Sequence, residues 1–286
     1  MSKYTKFMKK STLLLVFFAF LSIACHNEQN KTQDANTDKQ GGEQSNSKNN
    51  VVKRDIPVTM DFFQITNISA ADVVFTVGPY KVWEEGDSTL LNNIGYEFDG
   101  GVLTVTTPME ANNDMTSFAT YDNVKVHVSC PELKTVAVCA TGGFVCHDTI
   151  QTDIFQMGGM VKGNIDIDKV KCNKFRYESN GSTLMNLGDI QCEECVVIST
   201  GDGIINMNVE ADEKAYFDIK SLTTANLTVN SKHIEGLIET KKEVNMDINT
   251  KLLELSITEG NVNLSGKAEK QNIRKGRLAF VNNSLK

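Results

Sequence analysis

The spacing that looks most ready for chemistry is Cys192-Glu193-Glu194-Cys195, a CxxC pair of the kind used by zinc and thiol redox sites. A structural zinc site needs four ligands, and no second CxxC supplies the other two. Redox work needs a helix N-terminus or cations to lower a thiol pKa, whereas two glutamates fill this gap. Beyond Cys25, six cysteines remain, with Cys172 and Cys192 twenty residues apart. Buried free thiols are the first expectation for them, then one or more disulfides, then a metal. The four histidines, His26, His127, His147 and His233, form no HExxH or other paired spacing. No Gly-x-Ser-x-Gly elbow occurs. The stretch EGNVNLSGKA over residues 259–268 departs from a phosphate loop in its glycine spacing and its last residue.

Carboxylates offer a second kind of chemistry. Asp166 and Asp168 sit two apart on a predicted strand, and Asp189 follows them by 23 and 21 residues. If the chain coils with a period near twenty, the three could meet as the acidic set of a polysaccharide lyase or hydrolase. The competing expectation is a solvated outer face opposite Ile165 and Ile167. A sugar-cleaving groove would also need aromatic platforms, and the single tryptophan, Trp83, lies outside the repeat. The stronger expectation is therefore a protein without catalytic residues, metal or cofactor.

The N-terminus speaks to location. Lys3, Lys6, Lys9 and Lys10 precede the apolar run STLLLVFFAFLSIAC, and no acid appears before Glu28. This is a secretory signal over residues 1–24. The 15 residues between Lys10 and His26 fall short of the ~20 apolar residues that cross a bilayer. LSIAC resembles a bacterial lipobox with Leu21 one place early, which makes Cys25 the expected lipidation site. Residues 26–50 hold no large apolar side chain and cannot build a core. They read as a disordered tether, with the polar segment spanning 25–53, reaching about 25–30 Å as a coil. Losing residues 1–24 removes four lysines and moves the net charge from −7 to −11. So acidic a chain is a poor partner for nucleic acid or anionic membranes. The expected membrane contact is the lipid on Cys25, with an unidentified protein or glycan as ligand.

Past residue 50 the elements are short alternating runs such as VKVHV, TVAVC, NIDID and INMNV, which read as strands. They repeat. Val138, Met157, Tyr177, Val197, Phe217, Gly236 and Leu255 are spaced by 19 or 20 residues. A second track holds Ile167, Leu187, Met207, Leu227, Met246 and Leu264, with a companion two residues earlier. Such tracks mean stacked coils of about 20 residues, with like positions above one another inside. Between the tracks lie corners: ATGG at 140–143, SNGS at 179–182, TGDG at 200–203 and TEGN at 258–261. Their Gly and Asn residues are expected to supply left-handed backbone values. TGDG is thus one corner among several, and ligand contacts are sought on the outward residues between corners.

A family resemblance emerges from the order of these features. The chain shows Phe62 to Ile65, Asp72-Val73, Gly101 to Val105 and Pro131 to Leu133, followed by the repeating corners. From about Arg54 to Lys275 it resembles the GIN domain, the auto-transporter adhesin head family of Bacteroidetes envelope proteins. The coil SLTTAN departs from the pattern by lacking a corner glycine. The resemblance implies an all-β, right-handed parallel β-helix-like solenoid, here over 54–275 with a C-terminal tail at 276–286, on a secreted or lipid-anchored protein. It transfers no catalytic residue. In that bacterial group, DST at 87–89 and DTI at 148–150 resemble a short O-glycosylation motif, making Ser88 and Thr149 candidate acceptors on exposed turns. The function expected is that of a lipid-anchored, adhesin-like envelope protein, on either face of the outer membrane. A carbohydrate-active enzyme and a periplasm-facing structural or sensing protein are the alternatives.

Overall fold

The computed structural model describes residues 51–108, 121, 123–160 and 163–286. The expected signal, Cys25 and the expected tether up to residue 50 lie outside them, while residues 51–53, expected in the tether, belong to a strand. Residues 47–286 make one compact unit. Its core runs from Phe62 to Ala279, so the unit can fold without the residues before it.

Alternation with period two makes each short run a strand with one buried face. Residues of β11 (Ile165–Lys171) show this: Ile165, Ile167 and Val170 are fully buried, while Asp166 and Asp168 turn outward. Twenty-residue spacing then stacks the strands in parallel into a β-solenoid with two walls. One wall holds β2 (Gln64–Ile68), β6 (Val102–Thr106), β8 (Thr135–Val138), β10 (Ile154–Gly159) and β12 (Lys174–Ser179). The other holds β3 (Asp72–Val77), β7 (Lys125–Cys130), β9 (Phe144–Gln151) and β11. The long runs β13 (Leu184–Ser199), β14 (Ile204–Ser221) and β15 (Thr224–Asn283) pass through both walls. The β2–β3 coil, first in sequence, lies between the β6–β7 and β8–β9 coils. At that end the stack is closed by antiparallel strands. These are β1 (Val51–Ile56) on β4 (Lys81–Asp87), β4 on β7, and β5 (Gly95–Asp99) on β6.

The register follows the apolar tracks almost everywhere. Tyr177, Val197, Phe217 and Gly236 are successive partners, as are Ile167, Leu187, Met207 and Leu227. One step differs: Val136, not Val138, faces Met157. The expected C-terminal tail is also corrected, because strand continues to Asn283. Even the last residues hydrogen-bond to the coil before, with Ser284 N donating to Leu264 O at 2.9 Å and Lys286 N to Gly266 O at 3.1 Å.

The corner glycines serve a different purpose from the one expected. Of the corner set, only Gly260 has positive φ, at 112°. At TGDG a Cβ on Gly201 would lie 2.1 Å from the carbonyl oxygen of Gly181 in the coil below. Close stacking of one corner on the next, not a left-handed backbone, demands glycine there. In SLTTAN, which lacks glycine, Ser221 adopts φ 64° instead.

Candidate functional site

The outward residues of the β11–β15 wall form a groove of about 580 Å³. Its floor is a column of asparagines, one per coil. Asn206 Nδ2 donates to Asn186 Oδ1 at 2.8 Å, Asn226 to Asn206 at 2.8 Å, Asn245 to Asn226 at 2.9 Å and Asn263 to Asn245 at 2.8 Å. Each of these residues follows a fully buried one (Met185, Ile205, Ala225, Val244, Val262), so strand alternation aims it outward and coil register stacks it. An amide has two N–H donors and two acceptor lone pairs. Three of these residues, Asn206, Asn226 and Asn245, use one donor and one acceptor along the column. Each keeps a second of both for a ligand. Asp168, Asn208, Thr228, Asp247 and Ser265 line the groove beside the column. Ser265 Oγ donates to Asp247 Oδ1 at 3.2 Å. With coils about 4.8 Å apart, the column is a comb of regularly spaced polar groups.

The three carboxylates considered for catalysis take separate roles. Asp166 stands opposite Asn186 at the start of the asparagine column. Asp168 is held by His147, whose Nδ1 lies 3.2 Å from both carboxylate oxygens. Asp189 faces Lys169, at 3.9 Å. Coil register divides them: β11 and β13 keep one offset through Ile167–Leu187 and Lys169–Asp189, so Asp189 meets Lys169 and the residue beside Asp168 is Gly188. It must be glycine, since a Cβ there would lie 2.2 Å from Asp168 O. Among the described residues no group of three or more His, Cys, Asp or Glu side chains could hold a metal ion.

Ser88 opens a single helical turn, α1 (Ser88–Leu91), and is half-buried, not on an exposed turn. Its carbonyl accepts from Arg54 Nη2 at 3.4 Å. Thr149 is exposed, but within strand β9 opposite Lys169. The six described cysteines form no disulfide with one another; five are buried and Cys172 is half-buried. Burial pushes the thiols of Cys130, Cys146 and Cys172 up to about 12. Cys195 is held well up, first by its hydrogen bond with Cys192 and then by burial. Cys195 is therefore the reverse of an activated redox thiol.

The asparagine column was open to discovery from sequence. Asn186, Asn206, Asn226, Asn245 and Asn263 recur at steps of 20, 20, 19 and 18, matching the apolar companion track one place before. Following apolar residues alone passes over it.

A family model described as "Putative auto-transporter adhesin, head GIN domain" matches residues 61–232, well over half of the chain. The chain belongs to the GIN-domain family. The matched segment is shorter than the resemblance from Arg54 to Lys275 and ends before the last coils. Three solved structures share the fold of this GIN-domain chain. A putative adhesin from Parabacteroides distasonis aligns with TM-score 0.66 at 15% identity, over 82% of this chain and 98% of its own. A putative adhesin from Parabacteroides merdae aligns at 0.63 and 18%, over 81% and 95%. A protein from Parabacteroides distasonis described as a putative lipid binding protein aligns at 0.58 and 18%, over 83% and 96%. At such identities the likeness speaks for the fold alone. No curated protein matches the chain.

Proposed function

We propose that this GIN-domain chain is an adhesin-like binding protein of the cell envelope, without catalytic activity, anchored by a lipid on Cys25. The observation that carries the proposal is the asparagine-floored groove. It offers regularly repeated donors and acceptors along the stack, and of the three carboxylates weighed for catalysis Asp168 is held by His147 and Asp189 faces Lys169 outside the groove lining. Such a surface suits an extended polar ligand, a glycan or a protein segment, recognised by many modest hydrogen bonds (each worth about 0.5–1.5 kcal/mol net). The adhesin naming of the family and of two structural relatives agrees with this role.

The test pairs binding with turnover. Immobilised glycans and envelope extracts are screened with the unaltered chain and with the Asn206→Ala/Asn226→Ala variant. Loss of a captured ligand in the variant supports the groove. Release of product from a polysaccharide, abolished by Asp166→Asn/Asp168→Asn/Asp189→Asn, would instead establish the enzyme. Mass spectrometry of the mature N-terminus decides the anchor: an unmodified Cys25 would remove it.

A further inference from the structure

The net charge of −7 conceals a division along the stack. Residues 51–266 hold 31 acidic and 16 basic side chains, a net of −15. Residues 267–286 hold a single acid, Glu269, against Lys267, Lys270, Arg274, Lys275, Arg277 and Lys286, a net of +5. All six cations are exposed. Among the described residues none of the six is in an ion pair, although such pairs are frequent elsewhere, Lys174–Glu194 at 3.3 Å and Lys53–Glu85 at 3.1 Å among them. On the same coil Leu278 and Phe280 are 65% and 70% exposed, more than any other large apolar side chain described. Two residues apart, they share the face opposite buried Ala279. This coil lies outside the segment matched by the family model.

A terminal coil needs charge to discourage edge pairing and association. Either sign would achieve that, and an exposed Leu and Phe work against it. The cation excess and the apolar pair therefore ask for a common explanation. We propose that the terminal coil is a docking surface for an anionic lipid membrane. Lysines and arginines meet the headgroup charge, and Leu278 with Phe280 enters the acyl boundary, as on interfacial amphipathic segments.

Geometry favours a membrane over a long polyanion. Residues 230–266, the coils next to the end, hold four basic and six acidic side chains, a net of −2. The remaining surplus of −13 lies in residues 51–229. With coils about 4.8 Å apart, two coils exceed the ~8 Å screening length at physiological salt. A flat membrane meeting the end therefore feels mainly the cations. A nucleic acid would extend past the end along acidic walls. The expectation drawn from net charge, that anionic membranes are poor partners, averages over the whole chain, and this end departs from that average. The proposal is independent of the groove and of Cys25.

The test uses residues 47–286, the self-contained unit, which carries neither leader nor lipid. Its partition is measured by co-sedimentation with vesicles of phosphatidylcholine alone and of phosphatidylcholine mixed with phosphatidylglycerol, over a series of salt concentrations. Expected are preference for the phosphatidylglycerol vesicles and weakening as salt rises. Arg274→Gln/Arg277→Gln should weaken partition about 25-fold at low salt, roughly fivefold per cation. Leu278→Ser/Phe280→Ser should weaken it at every salt concentration while leaving the salt slope unchanged. Thermal melts establish that the variants are folded. If one is not, the lipid and salt series on the unaltered unit still decides. Equal partition to both vesicle types, unchanged binding by the folded arginine variant, or displacement of the vesicles by an equal phosphate concentration of duplex DNA would overturn the proposal.

Discussion

Replacing Asn226 by alanine cuts the asparagine column in the middle. Asn226 donates to Asn206 at 2.8 Å and accepts from Asn245 at 2.9 Å, so one substitution removes two amide hydrogen bonds. Each contributes about 0.5–1.5 kcal/mol net. Asn226 is on the exposed side of the wall, and water replaces part of what Asn206 and Asn245 lose. The expected cost is then nearer the lower half of the summed range, about 1–2 kcal/mol. For a unit of this size that lowers Tm by about 2–4 °C per kcal/mol. Urea denaturation read by circular dichroism measures it, and a double-mutant cycle tests the cause. Asn206→Ala and Asn226→Ala share a bond and should couple by at least ~0.5 kcal/mol. The pair Asn186→Ala and Asn263→Ala shares none and should be additive. No loss of stability in Asn226→Ala, or additivity of the first pair, would show that the column contributes nothing to the stack.

Three further outcomes are expected. Gly201→Ala places a Cβ 2.1 Å from the Gly181 carbonyl oxygen and should cost about 1–3 kcal/mol as overpacking does; a wild-type urea midpoint would remove the stacking explanation of the corners. At pH 8 the native protein should react slowly with a disulfide reagent such as dithionitrobenzoate, because burial holds Cys130, Cys146 and Cys172 near 12. Six fast-reacting thiols besides Cys25 should appear only on unfolding in guanidinium; rapid native labelling would contradict this. His127 is stacked on Trp83 at 3.7 Å between ring centroids, and its pKa is lowered chiefly by burial, against the raising effect of Glu85. The unfolded chain then takes up this proton first. The associated stability is full above the unfolded value of ~6.5 and is lost as pH falls from there through the lowered folded value. His127→Gln should flatten the decline in Tm over that window; an unchanged pH profile would assign it elsewhere.

How much was legible depends on the type of residue. The apolar tracks could be followed because burial tolerates few substitutes, and a coil displaced by one residue would turn its whole inner face to water. Register at Val136 was less legible. There the coils leave the regular 20-residue step, and Val136 and Val138 are both apolar and inward. The fate of Asp189 turned on a single place of register. Because β11 and β13 keep an offset of 20, Asp189, 21 residues after Asp168, faces Lys169, a change of partner that exists only when the two strands are paired. The corners show the same limit. Glycine at 201 was conspicuous, but its reason, a carbonyl 2.1 Å from an absent Cβ, belongs to the coil below.

Sequence by itself determined the class of this protein. Period-two alternation within runs and a period near twenty between them dictate stacked coils, and ordered motifs place the chain among GIN domains. Only the tertiary structure decided what the outer surface presents. Outward side chains are not constrained by burial, so their meaning arises from neighbours on other coils. Stacking joins five asparagines into a column with a groove above it. It also sets Asp189 apart from Asp166 and Asp168, which share the groove. And it gathers the cations of the last twenty residues at one end of an otherwise acidic stack.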